Sequence, residues 1–138
     1  MGRYICLDIG NKRIGVAISD PFNSMAMPLE TIFRKNFEKD LNYILSLAKE
    51  KDAEVIVCGL PLNLDGSKSE QTLLTESFVD ELKKRTDIPI VFQDERFTTM
   101  QARSLLLEAD MRRDKRKNVI DQIAASYILD DYMRKIKN

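Results

Sequence analysis

The amino-acid sequence predicts an α/β fold built on one mixed five-stranded sheet, with an antiparallel three-strand edge and helices on both faces. Near the N-terminus, short apolar runs follow one another with only turn residues between them, which is typical of antiparallel hairpins. Further along, apolar runs alternate with amphipathic helical patterns, as in parallel strands joined by crossover helices. The length of 138 residues suits one domain, and we expect residues 1–138 to form it.

The antiparallel edge is predicted from three short runs rich in β-branched and aliphatic residues, at residues 4–7, 14–18 and 29–33. Gly10 and Asn11 separate the first two runs and tolerate the positive φ angles that tight turns require. The first two runs therefore form a predicted hairpin, and the third run adds to it.

The next two helices are predicted from capping signals. Asn36 is an N-cap before apolar residues at helical spacing. Ser67 and Glu70 form a capping-box pattern that opens a second helix, ending at about Arg85. Between these helices, residues 54–59 form a continuous apolar run, which is typical of a strand covered on both faces.

The C-terminal part continues this alternation. Residues 88–92 predict another buried strand, and Thr98 with Gln101 forms a capping-box pattern that opens a further helix. A final helix is predicted from about residue 119 to residue 136, after a basic stretch. This order of elements predicts the mixed sheet.

Composition restricts the chemistry. The chain has no histidine, which excludes a His general base, a Ser-His-Asp triad and a His-ligated zinc. Its two cysteines, Cys6 and Cys58, are too few for a Cys-rich zinc site, and we expect both to be buried apolar residues in a reducing cytoplasm. The sequence shows neither a membrane span nor a signal peptide, so we expect a cytoplasmic protein without a membrane partner.

Acidic residues stand at three places where packing alone would not select them. Asp8 ends the first strand, Asp94 and Glu95 follow the last one, and Asp121 opens the final helix. The carboxyl ends of parallel strands share one edge, where ligand sites collect. Oxygen-only ligands suit Mg²⁺ or Mn²⁺, and two such ions roughly 4 Å apart can drive phosphodiester hydrolysis. A turn aspartate, a surface ion pair and a favourable helix N-terminal charge explain the same acids without a metal.

Four segments, in order, resemble the YqgF family, also called the RuvX family of Holliday junction resolvases: DIGNKRIGVAISD, GLPLNLDGS, DERFTT and IDQIAASYIL. The resemblance implies an RNase H-like fold related to the RuvC resolvases. It also implies a divalent-metal nuclease that matures the 5′ end of pre-16S ribosomal RNA or resolves Holliday junctions. The family's three acids fall on Asp8, Glu95 and Asp121. Asp94 competes for the second role, because strand alternation places it and Glu95 on opposite faces.

The resemblance also gives a role to polar residues beside the acids. Lys12 and Arg13 on the hairpin turn, and Arg96 beside Glu95, are candidates for holding phosphates, although solvated turn charges are the alternative. Asn63 lies in a loop that a plain turn explains nearly as well. The basic stretch before Asp121 concentrates positive charge in a chain of zero net charge, and we expect a flexible phosphate-binding arm there. Its candidate residues are Arg113, Lys115, Arg116 and Lys117.

Two other functions remain open on the sequence. A non-catalytic module could dock on ribosomal precursor particles or on a transcription complex. An actin-like ATPase shares the strand-Asp-x-Gly start, but it closes two such domains over its nucleotide and this chain supplies one. A homodimer would suit a symmetric four-way junction, whereas a single cut in RNA needs only a monomer.

Overall fold

The computed structural model describes residues 2–95 and 113–137, with side chains from residue 120 onward in the second segment. Five strands form one sheet in the order β3-β2-β1-β4-β5. The strands are β1 Arg3–Ile9, β2 Arg13–Ser19, β3 Ala26–Phe33, β4 Ala53–Leu60 and β5 Ile90–Asp94. The helices are α1 Phe37–Glu50, α2 Glu70–Lys83 and α3 Arg113–Lys137.

The strand directions confirm the predicted mixed sheet. β1 pairs with β2, and β2 with β3, in antiparallel fashion, whereas β1–β4 and β4–β5 are parallel. All five predicted strands are present, with ends that lie within three residues of the prediction. β5 is displaced by two residues at both ends and starts at Ile90. The carbonyl of Pro89 accepts a hydrogen bond from the Ile56 N–H, but the Pro89 ring nitrogen has no hydrogen to donate to the ladder.

Strand alternation divides the core between the two faces of the sheet. Ile5 and Leu7 of β1 pack with the buried faces of α1 and α2, whereas Cys6 packs against α3. Cys58 lies in the cluster with α1 and α2, so the two cysteines are buried on opposite faces. The predicted burial of both cysteines, and the predicted helices on both faces, are therefore confirmed.

The predicted start of α2 is wrong by two residues. The N-cap is Ser69, whose hydroxyl accepts from the Thr72 N–H at 3.2 Å while the Ser69 N–H donates to Thr72 Oγ1 at 3.0 Å. The Thr72 hydroxyl also donates to the Pro61 carbonyl, which ties the cap to the end of β4. Ser67, the predicted cap, instead donates through its N–H to Asp65 within the preceding loop, at 2.9 Å.

Removal of the Ser69 cap is expected to destabilise the protein by about 1 kcal/mol, because Ser69→Ala leaves an N-terminal N–H of α2 without its acceptor. Urea unfolding monitored by circular dichroism measures this change. Ser67→Ala is the matched control, since it removes a hydroxyl from the loop and not from the cap. An equal loss in both variants would contradict the observed cap.

The final helix begins earlier than predicted. It starts at Arg113 instead of about residue 119, so Asp121 lies in its third turn and does not open the helix. The basic residues from 113 to 117 are therefore helical and not a flexible arm, because Lys and Arg are good helix formers and no Gly or Pro interrupts them. Despite its 25 residues, neither α3 nor another helix in the described segments is both long and apolar enough to cross a bilayer. The helix predicted from Thr98 lies outside the described residues.

Candidate active site

Asp8 lies between two glycines in the middle of the sheet. It pairs with Gly15 of β2. On its other side, the register that pairs Leu7 with Cys58 brings Gly59 of β4 beside it. Asp8 shares the α3 face of β1 with Cys6, since side chains two residues apart point the same way. The Asp8 carboxyl is thus flanked by two positions that have no side chain.

The missing side chains of Gly15 and Gly59 leave space for Asp121 and Glu95. A Cβ on Gly15 would lie 1.9 Å from the carbonyl oxygen of Asp121, so α3 rests directly on β2 at this point. A Cβ on Gly59 would lie 2.9 Å from Cδ of Glu95. Asp121 and Glu95 therefore approach Asp8 from opposite sides, on the same face of the sheet.

Strand alternation separates Glu95 from Asp94. The Glu95 N–H donates to the Leu60 carbonyl at 3.3 Å, which continues the β5 ladder by one residue. Val91 packs against the cluster below α3, whereas Phe92 packs on the other face. Glu95 consequently shares the α3 face with Val91, and Asp94 lies on the face of α1 and α2.

Burial and mutual repulsion raise the pKa values of two of these acids. The pKa of Asp8 rises from 3.8 to about 6, first through desolvation and then through the negative charge of Asp121. The pKa of Glu95 rises from 4.5 to about 8, first through desolvation, then through Asp8 and Asp94. Asp8 is thus electrostatically coupled to both of its acidic neighbours, and a cation among them would relieve their repulsion.

Asp121 already has one cationic partner. Its Oδ2 lies 2.7 Å from Nε of Arg13, the first residue of β2, and both side chains are partly exposed. Among the residues that the structure describes, no three acidic or cysteine side chains form a ready-made metal cluster. The Asp121 carboxylate is thus engaged by Arg13 through Oδ2.

Hydrogen bonds from Arg34 and Gln71 to backbone carbonyl groups fix the turn between β1 and β2. Arg34 donates from Nη1 to the Gly10 carbonyl at 2.9 Å and from its backbone N–H to the Lys12 carbonyl at 3.0 Å. Gln71 of α2 donates to the Ile9 carbonyl at 2.9 Å. Lys12 is exposed on this turn, so the turn presents its ammonium group from a fixed backbone.

The other predicted nucleic-acid contacts lie in the loop after β4 and at the start of α3. The Asn63 side chain donates to the Ser67 hydroxyl at 2.9 Å, and Gly66 has a positive φ of 89°, so this loop is a hydrogen-bonded turn after β4. Arg113, Lys115, Arg116 and Lys117 occupy the first turns of α3, N-terminal to Asp121. Arg96 lies outside the described residues.

The chain matches a known protein family over almost its whole length. The model of the RuvX family, described as a Holliday junction resolvase, matches residues 2–135. The chain belongs to the RuvX family. A relative from Clostridium acetobutylicum, named "Putative pre-16S rRNA nuclease", is 42% identical over 134 residues that cover 97% of this chain and 99% of that protein. A relative of the same name from Ruegeria sp. is 46% identical and covers 100% of this chain and 90% of that protein.

Solved structures show the fold of this RuvX chain. RuvC of T. thermophilus in complex with Holliday junction substrate gives a TM-score of 0.60 at 10% identity, covering 96% of each chain. The fowlpox virus resolvase in complex with Holliday junction DNA gives 0.57 at 15% identity, covering 99% of each chain. The fold is RNase H-like, so the fold and the family predicted from the four motifs are confirmed.

Three further residues shape the site of this RuvX chain and were missed by the sequence reasoning. Gly15 and Gly59 give space to the acids, and Gln93 of β5 pairs with Gly59. A glycine inside a buried strand often marks a close approach by another group, so the runs IGVAI and VIVCG carried a usable signal. Gln93 is the one polar residue in the run IPIVFQ, which was a second signal.

Proposed function

We propose that this chain is a divalent-metal-dependent endonuclease that hydrolyses phosphodiester bonds in structured nucleic acid, with the 5′ end of pre-16S ribosomal RNA as its substrate. The observation that carries the proposal is the convergence of Asp8, Glu95 and Asp121 on one face of the sheet. The names of the relatives that are 42% and 46% identical support the RNA substrate.

The donor set suits a hard cation. Asp8, Glu95 and Asp121 offer only carboxylate oxygens. The raised pKa values of Asp8 and Glu95 favour the binding of positive charge between them. These three residues would hold one or two Mg²⁺ or Mn²⁺ ions. Such ions, when bound, activate a water and stabilise the leaving oxygen in phosphodiester hydrolysis. The partial burial of Asp8 and the burial of Glu95 strengthen the attraction, because charges interact more strongly in a low dielectric.

The cationic residues around the acids would position the substrate. Lys12 and Arg13 would bind phosphates from the β1–β2 turn, and Arg13 would become available on a turn of Asp121 toward the ion. This phosphate-binding surface would extend along the bound nucleic-acid strand through the basic first turns of α3, Arg96 and the Asn63 loop. We propose that residues 1–138 act as one cytoplasmic domain, and that a monomer suffices for a single cut in precursor RNA.

The Arg13→Ala variant is expected to bind Mn²⁺ up to about fivefold more tightly, since a partly exposed ion pair contributes about 1 kcal/mol and competes for Asp121. Its KM for nucleic acid should rise because a phosphate contact is lost. Isothermal titration calorimetry measures the first effect. Lys12→Ala is the matched control, with a raised KM and unchanged Mn²⁺ affinity. Equal Mn²⁺ affinity in wild type and Arg13→Ala would show that the two cations do not compete.

A cleavage assay on two substrates tests the proposed function. Purified protein is incubated with a labelled pre-16S RNA fragment or a four-way DNA junction, in Mn²⁺ or in chelator. We expect Mn²⁺-dependent cleavage of the RNA at its 5′ processing site and little cleavage of the junction. Cleavage in chelator would overturn the metal mechanism, preferential junction cleavage would identify a resolvase, and tight binding without cleavage would identify a binding module.

A further inference from the structure

Gln93 carries an unexplained buried oxygen. The residue is only 9% exposed, and its Oε1 is buried with no hydrogen-bond partner in the described part of the chain. Buried polar groups are almost always hydrogen-bonded, because an unpaired one forfeits its hydration without compensation. An apolar residue would pack better at this position of β5. The unpaired amide oxygen of Gln93 therefore needs an explanation.

The position of Gln93 in the sheet suggests an explanation for its unpaired oxygen. Gln93 pairs with Gly59, and Gly59 lies beside Asp8, so one row across the sheet contains Gly15, Asp8, Gly59 and Gln93. Gln93 shares the α3 face with Val91 and Glu95 by strand alternation. Asp8 and Gln93 thus stand two strands apart, about 10 Å, with a bare glycine between them.

The side chain of Glu95 lies directly above Gly59, so this space is part of the acidic site. Cδ of Glu95 lies 2.9 Å from the place where a Cβ of Gly59 would be, and Cδ1 of Ile128 lies 2.8 Å from it. By strand alternation, the side chain of Gln93 leaves β5 on the same face as that of Glu95, and only Gly59 separates Gln93 from Asp8 along the row. Among Asp8, Gln93 and Glu95, Gln93 is the residue with a neutral side-chain oxygen.

We propose that Gln93 is a positioning residue of the acidic site, whose Oε1 accepts a hydrogen bond from a water bound to the divalent cation. The inference rests on the proposed function, because it assumes that Asp8, Glu95 and Asp121 hold an ion. Mg²⁺ in proteins keeps several of its waters, and each of them needs acceptors. A neutral amide oxygen meets that need without adding a further charge to a cluster that already repels itself.

The Gln93→Met variant separates this role from a structural one. Methionine keeps the length of the side chain and removes both polar atoms. We expect the metal-free variant to melt higher by roughly 3 °C, since an unpaired buried oxygen is lost. We expect its Mn²⁺ affinity to fall by about tenfold, the size of effect that partners of metal-bound groups have. Gln71→Met, which removes a glutamine whose amide is hydrogen-bonded to Ile9, is the stability control and should melt lower.

Mn²⁺ titrations by calorimetry decide the outcome. Wild-type Mn²⁺ affinity in Gln93→Met overturns the inference, even if the melting temperature rises. Gln93→Glu retains an oxygen acceptor and should bind Mn²⁺ at least as tightly as wild type. A folded Gln93→Glu with tenfold weaker binding also overturns it, which covers the case in which the methionine variant does not fold. If wild type itself binds no Mn²⁺, the proposed function fails together with this inference.

Discussion

The Asp8→Asn variant is expected to lose cleavage activity by about a thousandfold or more and to be more stable than wild type at pH 8. Asp8 lies between the other two acids, so it is the central ligand of the proposed cation. Without the cation, several kcal/mol of transition-state stabilisation are lost. Asparagine keeps the shape of the side chain, so the fold should survive.

The gain in stability follows from the raised pKa of Asp8. Below pH 3.8 the carboxyl is protonated in both the folded and the unfolded chain, and it does not affect their balance. As the pH rises from 3.8 to about 6, the unfolded chain releases its proton first, which favours unfolding. Above pH 6 the penalty is complete, on the order of 3 kcal/mol. Asp8→Asn removes this penalty, so its advantage should be absent at pH 3.5 and complete at pH 8.

Asp20 offers a matched control, because its pKa shift is opposite in sign to that of Asp8. Its pKa falls to about 2, first because the Met25 N–H donates to it, with further donors at Ser24 and Phe22. This exposed carboxylate stabilises the fold above pH 3.8, and the effect is lost as the pH falls through 2. Asp20→Asn should therefore be less stable than wild type at pH 8 and should cleave normally. Chemical denaturation at both pH values measures the two variants. A pH-independent Asp8→Asn difference would contradict the buried acidic site.

The second large effect is expected from Gly15→Ala, which should destabilise the protein by about 3 kcal/mol or more. The added Cβ would meet the backbone carbonyl of Asp121 at 1.9 Å, and no rotamer change relieves a clash with backbone. Helix α3 would have to move away from β2, which would carry Asp121 away from Asp8. Urea unfolding measures the loss of stability, and the cleavage assay measures the loss of activity.

Gly59→Ala is the matched control for that prediction. Its Cβ would meet Cδ1 of Ile128 at 2.8 Å and Cδ of Glu95 at 2.9 Å, both at the ends of flexible side chains. We therefore expect a smaller destabilisation of about 1 kcal/mol, together with a clear loss of activity as Glu95 is displaced. Equal stability of the two variants would show that α3 does not rest on Gly15.

The strands were predictable because their residues carry the signal locally. Residues 4–7 and 54–59 are apolar enough to indicate buried strands whatever surrounds them, and Gly10 and Asn11 indicate the turn. The start of α2 was not predictable in the same way, because Ser67–Glu70 and Ser69–Thr72 both fit a capping pattern. A tertiary contact, from the Thr72 hydroxyl to the Pro61 carbonyl, selects the second pattern.

The members of the candidate site could be named from sequence, but their arrangement could not. Asp8, Glu95 and Asp121 stood out by position and by resemblance. The approach of Asp121 to Asp8 depends on the close contact of α3 with Gly15, which is a long-range packing event. The pairing of Arg13 with Asp121 joins residues 108 positions apart, so no local pattern contains it.

Anomalous diffraction from crystals grown with Mn²⁺ tests most directly whether the three acids form a metal site. We predict a manganese peak bounded by the carboxylates of Asp8, Glu95 and Asp121, with Asp121 turned away from Arg13. The absence of a peak there at saturating Mn²⁺, with the Arg13–Asp121 pair intact, would contradict the metal-dependent mechanism.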